Sequence, residues 1–256
     1  MIDPHAVVSP RAELAGDVEV GPFSVIGPQV TIGSGTRIRP HVVINGPTTI
    51  GRDCHIYQFA SIGEAPQDKK YQGEPTRLEI GDRNVFRECS TAHRGTAGGH
   101  EVTRIGHDNL FMAYSHVAHD CVVGDNCVMA NYSVLAGHVE LGDWVILAGY
   151  AGVHQFCKVG AHAFLGNNAA VTRDVPPYVL IGGIPAEPKG VNVQGLKRRD
   201  FTAEQINNIK AAYRLLYRSK LKLTDATLQI EELARTQPEV QPFVEFLKAA
   251  TRSVIR

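Results

Sequence analysis

A large apolar residue, nearly always aliphatic, recurs at every sixth position along more than half of the chain. Val8, Leu14, Val20, Ile26, Ile32, Ile38, Ile44, Ile50, Ile56 and Ile62 form one unbroken series. Ile80 and Phe86 keep its register. After a slip of one residue, a second series runs through Ile105, Phe111, Val117, Val123, Met129, Leu135, Leu141, Leu147, Val153, Val159, Leu165 and Val171. In a chain that is 43% hydrophobic, ten consecutive hits would arise by chance roughly twice in 10,000 tries, so the pattern is structural. A period of six fits neither a 3.6-residue helix nor a simply alternating strand. It predicts a parallel β-helix of hexapeptide repeats, whose short strands turn corners and whose coils stack. Many of the apolar residues precede Gly, as in Ile32-Gly33 and Leu141-Gly142, which relieves crowding at the corners.

The repeats span about 2–185. Two polar, Gly/Pro-containing stretches interrupt them near 63–79 and 93–104 and read as projecting loops, where binding residues concentrate. The β-helix is assigned to 1–190 and a C-terminal helical domain to 191–256. Within that domain Thr202 and Gln205 form a capping box, followed by Ile206, Ile209, Tyr213, Leu216 and Tyr217 at helical spacing. Thr224 is expected to cap a second helix carrying Leu228 and Leu233. Pro238 is expected to open a third, with Val240, Phe243, Val244 and Leu247.

The formal net charge is zero, which argues against a whole-molecule field for nucleic acid. No stretch is long and apolar enough for a membrane span, and the first residues lack the pattern of a signal peptide, so a cytoplasmic protein without stable membrane insertion is expected. The five cysteines form no C-x-x-C pair and read as small corner or core residues. Lys197, Arg198, Arg199, Lys210, Arg214, Arg218, Lys220 and Lys222 cluster in the helical region, either as a solvated face or as a docking patch for an acidic partner.

The candidate chemistry lies in histidines. With three hexapeptides to a triangular coil, residues eighteen apart stack. Ala118, Ala136 and His154 then form one column, and His119, Gly137 and Gln155 the next. His138 is one position further on, so His119, His138 and His154 gather at one corner on successive coils, with a rise of roughly 5 Å per coil. His116 lies three residues before His119, and Asp120 follows it. Such a cluster could bind zinc, supply a general base, or be structural. Asp120 could orient the His119 imidazole and stabilise its protonated form.

Several stretches resemble the cytoplasmic UDP-N-acetylglucosamine acyltransferases that begin lipid A biosynthesis. They include Ile56-Tyr57-Gln58-Phe59-Ala60-Ser61-Ile62-Gly63, Gly73-Glu74-Pro75-Thr76-Arg77, His93-Arg94-Gly95-Thr96, His116-Val117-Ala118-His119-Asp120, Leu135-Ala136-Gly137-His138 and Val153-His154-Gln155-Phe156. Asp174-Val175-Pro176-Pro177-Tyr178 and Gly195-Leu196-Lys197-Arg198-Arg199 extend the resemblance into the tail, so it covers essentially the whole chain.

The resemblance implies a left-handed β-helix, a homotrimer with sites between subunits, and no cofactor or metal. It implies transfer of a 3-hydroxyacyl group from acyl carrier protein to the 3-hydroxyl of UDP-N-acetylglucosamine. His119 matches the general base and Gly137 the backbone N–H for the oxyanion. Asp68 and Lys70 match a pair on the sugar and phosphate side. His116, His138, His154 and Gln155 match substrate-positioning residues. Asn192, Arg198 and Arg199 match the nucleotide end, and the basic tail would meet the acidic carrier. Phe164 and Asn167 match the acyl-chain ruler, where a bulky polar Asn implies a donor shorter than about fourteen carbons. The chain departs from the family pattern at Gln194, at Ala92 and at Asn167 itself. Rival readings are a γ-type zinc carbonic anhydrase and a non-catalytic solenoid that binds nucleotide sugars.

Overall fold

The computed structural model describes residues 1–250 and 253–256. Short parallel strands form three sheets of nine, eight and ten strands, with each coil adding one strand to each. The register is the eighteen-residue stacking expected from the sequence: Val117 pairs with Leu135, and Leu135 with Val153. The apolar series fills the interior. Every member from Val20 to Val171 is buried, while Val8 and Leu14, in the first coil, are only half-buried. Ala92 holds a core position in the strand Thr91–His93, facing Ile62 and Val117 in the adjacent coils. The hexad therefore runs on to Ala92, and the loop that follows causes the one-residue slip before Ile105.

The projecting loops are narrower than expected, because their stems join the sheets. Ser61–Glu64 and Arg77–Ile80 are strands, as are Thr91–His93 and Val102–Ile105, which leaves loops at 65–76 and 94–101. Corners are tight: a Cβ on Gly33 would lie 2.7 Å from the Gly51 carbonyl oxygen of the next coil. Four cysteines are buried and Cys89 is half-buried, all as free thiols. Burial pushes the Cys121 and Cys127 thiols up to about 12, which suits packing rather than nucleophilic chemistry.

An antiparallel hairpin, Val179–Gly182 with Glu187–Val191, ends the repeats. Helices α1 (Val193–Lys197), α2 (Ala203–Tyr217), α3 (Leu223–Ala234) and α4 (Gln241–Ala249) follow. Both bonds of the Thr202–Gln205 capping box are present. Thr224 does not cap α3. Lys222 stands at its N-cap without a side-chain bond, and Thr224 is inside the first turn. Leu228 is 63% exposed, since Ala226 and Ile230 supply the buried phase of α3. Pro238 opens a 3₁₀ turn, Pro238–Val240, that leads directly into α4. The tail returns to the last coil, where Asp174 N–H donates to Ser253 O (3.2 Å) and Ile255 N–H to Asp174 O (2.8 Å).

Candidate active site

The corner between the nine- and eight-stranded sheets carries the densest chemistry. His119 N–H and its neighbours turn the corner, and Asp120 adopts φ 59°, a left-handed conformation that tucks its carboxylate inward. His119 Nδ1–H donates to Asp120 Oδ2 at 2.8 Å, which leaves Nε2 as the acceptor. Thr96 N–H (3.1 Å), Thr96 Oγ1–H (2.6 Å) and His100 N–H (2.8 Å) also donate to this carboxylate. Burial alone would raise the Asp120 pKa. The hydrogen bonds from His119, Thr96 and His100 outweigh it and hold the group well below the carboxylate range.

Gly137 lies against His119, as the stacking predicts. A Cβ there would be 2.5 Å from His119 Cε1 and 2.6 Å from Nε2, so only glycine admits the ring in this pose. Among the described residues, the Gly137 N–H takes no protein acceptor. His138, at φ 62°, stacks on Phe156 and meets His119 edge-on at a 5.2 Å centroid separation. Burial lowers the His138 pKa, against the attraction of Asp120.

These groups open into a cleft of about 640 Å³ that Asp68, Lys70, His119, His138 and Gln155 line together. Asp68 and Lys70 come from loop 65–76, where Lys70 N–H donates to Asp68 Oδ1 (2.9 Å). Other expected site residues do not line this cleft. His116 is half-buried on the nine-stranded face, within 2.7 Å of Thr91 Oγ1, and burial together with His93 and His119 lowers it to about 4. His154 lines a separate groove of about 400 Å³ with Tyr150, Asn168 and Ile184. Phe164 belongs to the ten-stranded face, and Asn167 is exposed at the corner between that face and the nine-stranded one.

Asn192, Arg198 and Arg199 lie at the third corner. Asn192 caps α1 through Gly195 N–H (3.1 Å), and its Nδ2–H donates to His162 O (3.0 Å). Arg199 donates to His162 Nδ1 (3.2 Å) and Trp144 O (3.1 Å), and its guanidinium stacks over the Trp144 ring. Arg198 and Gln194 are exposed. One chain thus spreads the expected site over three corners.

Thr96, His100 and Tyr71 escaped the sequence reading as functional positions. The His93-Arg94-Gly95-Thr96 motif was visible, but loop residues carry no period from which to place them. The ligand atoms of His119, Asp120 and His138 lie within 4.8 Å of one another, close enough to consider a metal. The donor set argues against it: Asp120 is saturated by N–H and O–H groups, and His119 Nδ1 is occupied in donating to it.

Known proteins bear on this geometry. The profile of a family described as "Udp N-acetylglucosamine O-acyltransferase; Domain 2" matches residues 174–255. "Bacterial transferase hexapeptide (six repeats)" matches 11–46, 30–64 and 103–137. The chain is 58% identical to an acyl-[acyl-carrier-protein]–UDP-N-acetylglucosamine O-acyltransferase of Thiobacillus denitrificans, covering 100% of this chain and 99% of the relative. It is 55% identical to the enzyme so named from Stenotrophomonas maltophilia, covering 100% and 97%. Among solved structures, the UDP-N-acetylglucosamine acyltransferase of Francisella novicida superposes with a TM-score of 0.98 at 42% identity, covering 100% of this chain and 94% of that one. The Acinetobacter baumannii protein gives 0.97 at 43%, covering 100% and 99%. The fold is the left-handed parallel β-helix with a small helical domain. By identity over its full length, the chain belongs to the acyl-[acyl-carrier-protein]–UDP-N-acetylglucosamine O-acyltransferase family.

Proposed function

We propose that this protein moves a 3-hydroxyacyl chain from acyl carrier protein to the 3-hydroxyl of UDP-N-acetylglucosamine, the first step of lipid A biosynthesis, in the cytoplasm. The observation that carries the reading is the His119 ring, held through Nδ1 by a buried carboxylate and presenting Nε2 to Gly137 in the open cleft. A sugar hydroxyl is a poor nucleophile until a base takes its proton during attack. Nε2 accepts that proton as the oxygen bonds to the thioester carbonyl carbon. Asp120 stays ionised and balances the imidazolium. The carbonyl electrons move to oxygen, where the Gly137 N–H stabilises the charge. As the intermediate collapses, the carbon–sulfur bond breaks and the leaving thiolate takes the proton back from His119. No cofactor enters this balance.

Asp68 and Lys70 hold the sugar and phosphate side, with His138 and Gln155 beside them. His116 and His154 do not line the cleft with His119, and Asn192, Arg198 and Arg199 lie at another corner. A homotrimer brings the corners of neighbouring copies together. Exposed Val7, Val25, Val43 and Val134 on the nine-stranded face support such packing. The basic tail serves the carrier, and Phe164 with Asn167 limits acyl length.

Mass spectrometry of products from a panel of 3-hydroxyacyl carrier proteins, with UDP-N-acetylglucosamine and its 3-amino analogue, tests the reading. An acylated UDP-sugar is expected. Stoichiometric zinc with carbon dioxide hydration and no acyl product would overturn it.

A further inference from the structure

The loop carrying Asp68 and Lys70 is fastened to the β-helix at one side chain that the reaction does not use. Arg94 lies just past the strand Thr91–His93 and is half-buried. Its backbone N–H donates to Glu64 O (3.1 Å), at the stem of loop 65–76. Its guanidinium donates through Nη1 to Gly46 O, two coils back, and through Nη2 to Tyr71 Oη (3.2 Å) within the loop. Tyr71 Oη–H in turn donates to Glu74 O (2.9 Å), and Tyr71 N–H to Asp68 O (3.1 Å). Among the described residues, Arg94 Nε is buried without a hydrogen-bond partner. A planar fork that leaves one nitrogen unsatisfied in order to reach two acceptors is there for its geometry. Tyr71 lines the cleft with Asp68, Lys70 and His119, whereas Arg94 does not.

We infer that Arg94 is a positioning residue: through Tyr71 it pins loop 65–76 so that Asp68 and Lys70 face the cleft in the unliganded enzyme. The pinned loop pays no ordering cost when the sugar nucleotide arrives, so the pair lowers KM for that substrate and leaves the chemical step and the carrier alone. The kinetic arm of this inference rests on the acyltransferase reading; the exchange arm below does not.

The test uses Tyr71→Phe, Arg94→Gln and the double variant. Tyr71→Phe removes only the hydroxyl, so it leaves the fold in place. Amide hydrogen exchange of 65–76 in the free protein is expected to speed up in all three, with the coil strands unchanged. KM for UDP-N-acetylglucosamine is expected to rise by about fivefold with kcat and the carrier KM within about twofold, and the double variant should match the singles. Arg94→Lys, which cannot fork, should not restore it. Unchanged exchange at 65–76 overturns the inference. Multiplying effects in the double variant also overturn it, since they mean that Tyr71 meets substrate independently of Arg94. If the wild-type protein acylates no UDP-sugar, the functional reading fails, and exchange alone decides the clamp.

Discussion

Two corners of the same solenoid hold a histidine beside a charged group, with opposite consequences. At one, His119 donates an Nδ1–H hydrogen bond to Asp120 and turns Nε2 to a cleft. At the other, His162 receives an N–H of Arg199 at Nδ1, packs against Tyr178 and Phe201, and is lowered to about 4 by burial and by the guanidinium. His162 occupies the left-handed position of its turn (φ 62°), and His119 stands one residue before the equivalent position, which Asp120 holds (φ 59°). The neighbour decides whether the ring is a base that can carry a proton or a neutral strut. A carboxylate compensates the imidazolium formed during catalysis, whereas a guanidinium penalises it.

Removing the ring at each corner separates the two roles most sharply. His119→Ala is expected to cut turnover by about two orders of magnitude or more, with the melting temperature little changed. Near-normal turnover in the folded variant would refute the base assignment. Asp120→Asn breaks the compensation itself: it offers an N–H to a pocket built of donors, and turnover should fall at least about tenfold. Wild-type rates would remove the electrostatic half of the comparison. Gly137→Ala is a steric probe of the same corner. Its Cβ must push the ring aside, so kcat should drop by about tenfold while UDP-sugar affinity holds. An unchanged kcat would mean that the ring's pose is not the catalytic one.

The smallest effect belongs to the strut corner and appears as stability. Below about 6.5 the unfolded chain protonates at position 162 while the folded one stays neutral until about 4. Stability is therefore full above pH 6.5 and falls as pH drops through that window. His116, lowered to a similar value, adds to the slope. His162→Phe should keep the ring stacking and make the decline between pH 7 and pH 5 shallower, as read from urea midpoints. Parallel declines for variant and wild type would show that His162 is not held neutral.

The six-residue period made the interior, the stacking of Gly137 on His119 and the grouping of His138 and Gln155 legible, because a translational repeat turns sequence separation into distance. It did not reveal the capture of Asp120. That depends on a left-handed residue at 120 and on N–H groups from loop 94–101, which has no period. The sequence names Leu228 on α3 without its face, for a related reason: the helix offers two apolar stripes, and packing against α2 and α4 selects the one with Ala226 and Ile230. The sequence places Arg199 in a basic cluster and at the nucleotide end, but nothing in its neighbourhood in the chain announces Trp144 and His162.

The bonds from Thr96 and His100 to Asp120 make a surface loop part of the base. Each local opening of 94–101 withdraws donors from the carboxylate that aims His119, so the share of time the loop spends closed multiplies the rate. A loop open about one part in ten at a raised temperature would remove about a tenth of the activity well below the melting point of the coils. Heat inactivation would then begin as a reversible loss of aim, before any strand had parted.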